Sequence, residues 1–333
     1  MTNWPIVSII IPTYNSAPYI ISCLESVVNQ TYKGGMECLI VDDCGKDNCI
    51  QIVEEFVSSY KGCIRFQIVH RDKNGGASAA RNSGIRAATG DYIFFLDPDD
   101  RIIPECIDCL VCCIQKHPDA ECVFAGAKAT NGYEWMSIMN KHLPDYSNNP
   151  DWISAAMACR YILNMTLWNR LISRTFIVEN NLFFIEGVVH EDELWSQDLA
   201  LHLHSIAICR YDTYIYQVRV DGLMANESKD VKMFEKRMKD WFFMLDRLPH
   251  NAHPALLGCL FFTQNHWDLS LEQKKLHTTY LKKIANHSHS IACAAMKMYL
   301  LMPEFLQKKS LVKRVFFRFF EPYSIYSRLS PIV

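Results

Sequence analysis

Five short stretches place oxygen or nitrogen donors where apolar runs stop. The densest is Asp97-Pro98-Asp99-Asp100, directly after Tyr92-Ile93-Phe94-Phe95-Leu96. Three carboxylates this close raise one another's pKa and do not all ionise near neutral pH without a compensating cation. A hard divalent metal with oxygen ligands meets that need, and Mg2+ held by one or two carboxylates keeps room for substrate phosphates. There it would neutralise a diphosphate leaving group. The plain alternative is a solvated acidic turn whose Asp100 caps the next helix.

The other four are weaker taken singly. Asp42 and Asp43 end the run Glu37-Cys38-Leu39-Ile40-Val41, where an acid can accept a nucleobase N–H or a ribose hydroxyl, or merely close a turn. Pro12-Thr13-Tyr14-Asn15 stops the first apolar run and offers the Tyr14 ring to a stacked base, or packs it under a loop. Asn74-Gly75-Gly76 leads into a run of small residues. Gly75 lets backbone approach a ligand, the helix start that follows favours anions, and Arg81 one turn in is a phosphate partner or a surface arginine. His190-Glu191-Asp192-Glu193 is no zinc-protease box, because Leu194 stands where a second histidine would be needed. Its acids either answer the helix dipole or include a general base held in a cleft.

The intervening sequence predicts how these stretches are held. Residues 6–11, 37–43, 64–70 and 92–97 are short, β-branched or aromatic runs. Residues 19–29, 50–60 and the small-residue segment after Gly76 have helical spacing. The alternation predicts an α/β fold with a mostly parallel sheet and helices on both faces. In such sheets ligands bind beyond the carboxyl ends of the strands, where Pro12–Asn15, Asp42-Asp43 and Asp97–Asp100 all fall. Further on, 106–115 predicts a helix, 122–129 a strand, 148–150 a loop, 166–181 a strand or turn into a helix, 190–204 a helix, and 205–220 two strand pieces. Beyond Asp221-Gly222 the chain is mostly helix-like.

The chain has 333 residues, 50% hydrophobic and 21% charged, enough for a large core. A formal net charge of -2 gives no electrostatic case for nucleic acid as a partner. The fourteen cysteines are scattered and the start lacks the features of a secretory signal, so they are read as reduced core residues of a cytoplasmic protein. Cys109, Cys112 and Cys113 have no second ligand pair nearby to make a zinc site. From Phe305 onward six Lys or Arg face one acid, Glu321. Leu311, Val315 and Phe319 align beside Val312, Phe316 and Phe320, which suits residues 308–320 as a helix on an anionic membrane surface, or as one packed on the domain.

Taken together the stretches resemble the inverting, family 2-like glycosyltransferases of GT-A fold. The matching pieces are VSIIIPTYN, Gln30-Thr31-Tyr32, LIVDD, NGGASAARNSGI, ATGDYIFFLDPDD, WNRLISR and EGVVHEDELW, in order from about residue 5 to about residue 220. The resemblance implies a Rossmann-like GT-A domain over 1–220, with a nucleotide-binding half (1–100) and an acceptor half (101–220), then a helical region over 221–333. It also implies a nucleotide-sugar donor, usually a UDP-sugar, and a glycan or lipid-linked glycan acceptor of bacterial surface polysaccharide. Asp43 would bind the base, with Pro12, Thr13, Tyr14, Asn15 and Asp42 around it and Gly75, Arg81 and Pro98 near the nucleotide. Asp99, with Asp97, would hold Mn2+ or Mg2+. Asp192 would be the catalytic base, with Glu191 its acidic neighbour.

Cys44-Gly45-Lys46-Asp47 departs from the Gly-Ser-x-Asp common in the family. A haloacid-dehalogenase-type phosphatase also carries Asp-x-Asp after a strand, but on its first strand; here the expected strand is the fourth. A non-catalytic nucleotide-sugar-binding subunit would lack one of the key acids, and all are present.

Overall fold

The structure is a computed structural model that describes residues 4–131, 137–138, 143–158, 163, 166–188, 191–219 and a few positions between 235 and 282. The chain divides into two compact units, one of residues 1–153 and 164–218, the other of 154–163 and 219–333. The first carries the sheet. Most of the helical region expected over 221–333, and the basic segment 308–320, lie outside the described residues.

Four parallel strands make one side of the sheet: β1 (Val7–Thr13), β2 (Met36–Asp42), β3 (Arg65–His70) and β4 (Tyr92–Phe95), in the order β3-β2-β1-β4. All seven residues of β1 are buried, as in a parallel strand covered on both faces. The crossovers are α1 (Ile20–Val28), α2 (Cys49–Ser59) and α3 (Gly76–Ala87). In α1 the buried residues are Ile20, Cys23, Leu24 and Val27, the i, i+3, i+4, i+7 stripe of a helix laid on a sheet. Helix α3 approaches more closely: a methyl group at Gly84 would lie 2.4 Å from Ile10 Cγ2.

The second side is mixed. After β4 come β5 (Arg101–Ile102), α4 (Cys106–Lys116), β6 (Cys122–Ala129), β7 (Tyr146–Ser147), α5 (Pro150–Ala158), β8 (Arg170–Ser173), α6 (Arg174–Glu179), α7 (Glu191–His202) and β9 (Ile206–Tyr216). Strand β8 inserts antiparallel between β4 and β6, and β9 pairs parallel with β6 and antiparallel with β5 and β7. The parallel arrangement therefore holds across the first four strands, and the two expected halves share one continuous sheet.

Three local expectations need correction. Pro150 opens α5, with the Asn149 side chain accepting from the Trp152 amide at 3.1 Å, so the loop expected over 148–150 ends at Asn149, which caps the helix. The two strand pieces after residue 205 are one strand, β9, whose register against β6 slips around Gly126. The helix after the acidic stretch starts at Cys106 with Glu105 before it, so Asp100 does not cap it.

Candidate active site at the carboxyl rim

The expected site residues gather at the carboxyl ends of β1, β2 and β4 and at the first turn of α7, in two groups. The first surrounds Asp43. This carboxylate is 2% exposed; Oδ1 accepts from the Arg71 guanidinium and the Gly75 amide (3.0 Å), Oδ2 from the Gly76 amide (2.7 Å). Gly76 has φ +83°, a conformation that suits glycine and turns its N–H toward the acid. A side chain at Gly75 would meet the Arg71 guanidinium at 2.7 Å. Asp43 thus organises the turn before α3, and Arg71, which sequence reasoning passed over, is its cation.

Neighbours of Asp43 have local duties as well. Asp42 Oδ1 accepts from the Cys44 and Gly45 amides. The Thr13 hydroxyl is buried and donates to the Val41 carbonyl at 2.9 Å, locking β1 to β2, so it is turned into the sheet. Pro12 is buried in the same pairing. Asn15, at φ 51°, accepts from the Lys46 amide and so fixes the unusual 44–47 loop. Tyr14 stands out at 45% exposed, the one aromatic face of this group open to a stacking partner.

The second group is acidic. Asp97 follows β4, and its Oδ1 accepts from Arg81 at 2.9 Å. Arg81 also donates to Glu191 Oε1 at 2.5 Å, which ties the Asp97 corner to α7 across 110 residues of sequence. Arg81 is buried rather than reaching outward, which departs from the surface or phosphate-facing arginine expected. Burial disfavours its charge, but Asp97 and Glu191 outweigh burial and hold it protonated. Asp97 is raised above the usual carboxylate range by burial; Arg81 lowers it and Asp99 raises it again.

Asp100 is 1% exposed, accepting from the Tyr214 hydroxyl and the Gln217 amide, both at 2.7 Å. Burial, then Asp97 and Asp99, push its carboxyl up to about 8 despite those two donors. Pro98 and Asp99 are partly buried between these anchored neighbours. Trp168 stacks on Tyr214 (centroids 4.4 Å apart) and on Tyr216 (5.9 Å), forming an aromatic slab behind the acids. The Tyr216 hydroxyl has its pKa raised by burial and then by Asp100, Asp99, Asp97 and Asp192. Asp192, partly exposed in the first turn of α7, also bears on the buried Arg170. The slab was announced only by Trp168 in WNRLISR and by the tyrosines of β9, whose alternation looks like ordinary core.

Among the described residues no three or more His, Cys, Asp or Glu converge into a closed metal cage. Asp97 and Asp99, both partly buried, would offer two carboxylates, a donor set that fits a hard cation whose remaining ligands come from phosphate and water.

The sequence profile of glycosyl transferase family 2 matches residues 8–170. The chain belongs to this family. The uncharacterized glycosyltransferase YibD of Escherichia coli (strain K12) is 30% identical over 231 residues, 67% of this chain and 65% of YibD. The poly(ribitol-phosphate) beta-N-acetylglucosaminyltransferase TarS of Staphylococcus aureus is 28% identical over 218 residues, 65% of this chain and 36% of TarS. Residues 1–349 of TarS, solved with UDP-GlcNAc, share the fold at TM-score 0.70 and 20% identity, over 96% of this chain and 92% of that one. A mannosyltransferase of Pyrobaculum calidifontis, solved with GDP-Man and Mn2+, is similar at TM-score 0.54 and 15% identity, over 99% of this chain and 89% of that one. The match thus spans less than two thirds of YibD and about a third of TarS. The likeness to the solved structures is a likeness of fold.

Proposed function

We propose that this family 2 chain transfers a sugar from a UDP-sugar, with inversion, to a hydroxyl of a glycan or lipid-linked glycan in surface polysaccharide synthesis. The observation that carries this reading is the joint placement of the Asp97–Asp99 corner and the Glu191-Asp192 turn, bridged by Arg81. A cation-assisted transfer with a general base needs the cation site and the base close to one another. The TarS complex with UDP-GlcNAc supports the donor class.

Asp99 and Asp97 would hold Mn2+ or Mg2+, which when bound draws charge from the departing diphosphate. The Asp192 carboxylate takes the proton of the acceptor hydroxyl. The acceptor oxygen bonds to the anomeric carbon opposite the diphosphate, the bond from that carbon to the phosphate oxygen breaks, and UDP leaves. Tyr14 stacks on the base, and Asp43 with Asp42 faces the nucleoside through the turn that Gly75 begins. Residues 308–320 rest on anionic lipid. For that segment, equal liposome flotation of the full chain and of a chain ended after Pro303 would remove it from the account.

UDP-sugars should raise the melting temperature more with Mn2+ than after EDTA, and UDP should be released from at least one of them with a glycan or water as acceptor. Phosphate release from simple phosphomonoesters would favour the phosphatase instead. Melting unmoved by any nucleotide sugar would defeat the proposal.

A further inference from the structure

Arg81 and Asn82 sit side by side on α3 and grip the two chain segments that carry the acids. The two terminal nitrogens of Arg81 go to different carboxylates, Glu191 and Asp97, while its Nε is buried with no hydrogen-bond partner. Its guanidinium lies 5.6 Å from the centroid of Phe184. That ring stacks on Trp195 of α7 (4.7 Å) and meets Phe95 of β4 edge-on (5.6 Å). Asn82 clamps the same point by backbone: its amide donates to the Phe184 carbonyl at 2.9 Å, and its oxygen accepts from the Phe184 N–H at 2.8 Å. The indole of Trp195 donates to the Leu182 carbonyl. Helix α3, the end of β4 and the start of α7 therefore meet at one buried junction with a guanidinium at its centre.

We propose that Arg81 is a positioning residue and not a phosphate ligand: its fork sets the first turn of α7 against the acid corner after β4. This rests on the reading of Asp97, Asp99 and Asp192 given above. A rigid planar fork can hold two carboxylates that come from different directions, whereas a lysine ammonium is a point charge on a flexible stem. The residue is 5% exposed and its fork already bridges two carboxylates, so a diphosphate could reach it only by opening the buried junction. Loosening the fork leaves Asp99 and the Asp43 turn untouched but frees Asp97 and the first turn of α7 to shift, and a misplacement of about 1 Å can cost roughly a hundredfold in rate.

Three variants, Arg81→Met, Arg81→Lys and Glu191→Gln, test this in the full chain. For Arg81→Met, kcat for UDP release should fall about a hundredfold while KM for the donor changes by less than about threefold. Arg81→Lys should fall between it and wild type. Arg81→Met combined with Glu191→Gln should lose less than the product of the single losses, because both cut one link. Amide exchange over Asp192–Leu194 should quicken in Arg81→Met and Glu191→Gln, a readout independent of turnover. A tenfold rise in donor KM at unchanged kcat would make Arg81 a nucleotide ligand, and unchanged kcat, KM and exchange would leave it nothing to position; either overturns the proposal. Should Arg81→Met not fold, Arg81→Lys and Glu191→Gln decide by the same kcat, KM and exchange criteria. Full turnover by Asp99→Ala and Asp192→Asn would instead defeat the functional reading, leaving the exchange result to judge the junction.

Discussion

Carboxylates lie at both ends of the parallel strands, and the protein treats them differently. At the amino end, Glu37 of β2 is 2% exposed and surrounded by donors: the Ser8 hydroxyl (2.6 Å), the Thr89 amide (2.6 Å) and hydroxyl (2.9 Å), the Gly90 amide (3.1 Å) and Arg65. Every partner is protein, and nothing is left for a ligand to do. At the carboxyl end Asp43 is closed in the same way by Arg71, Gly75 and Gly76, but Asp97 and Glu191 share one guanidinium, and Asp97 and Asp100 stand above the usual carboxylate range. A satisfied acid stabilises the sheet. Crowded acids with little compensation store a demand for positive charge, which is what a site for a cation requires.

The sharpest way to break this comparison is Asp192→Asn. It should lower kcat for UDP release by about 10² to 10⁴-fold with donor KM and melting nearly unchanged. Wild-type turnover in this variant would remove Asp192 as the base. Glu37→Ala should do the reverse. By leaving buried donors without an acceptor it should cost about 3 kcal/mol of stability in a denaturant titration, with turnover per folded molecule intact. Tyr214→Phe belongs to both ends of the comparison. Loss of its bond to Asp100 should cost about 1 to 2 kcal/mol, and a modest fall in kcat should accompany it as the acid corner loosens. The smallest effect is expected of Gly76→Ala, where space is open but φ is positive. A loss of about 1 kcal/mol, with weaker thermal stabilisation by UDP, would place the strain in the Asp43 turn.

How far the sequence reaches follows the same division. Strands β1, β2 and β4 were legible because each is a largely apolar run that meets a proline or an acid near its carboxyl end, and that change also marks the rim, although β1 continues through Pro12 to Thr13. Strand β9 was split in two because Arg210 and Tyr211 are exposed in mid-strand, where the register against β6 slips. The two-residue strands β5 and β7 are too short to show any period. Glu37 looked like an ordinary acid ahead of a strand, since its donors come from β1, β3 and the turn after α3. The acidic stretches themselves were conspicuous by composition. Their bond to one another was not, because Arg81 meets Glu191 through folding across 110 positions, and no local pattern encodes that distance.

The closure of Asp100 by Tyr214 and Gln217 has a consequence for synthesis. The turn around Asp43 draws only on residues up to Gly76. The acid corner instead needs partners 114 and 117 positions downstream. As the nascent polypeptide leaves the ribosome, the base-facing side of the cleft has all its parts long before the diphosphate-facing side does. A chain arrested short of residue 217 would hold the first without being able to finish the second.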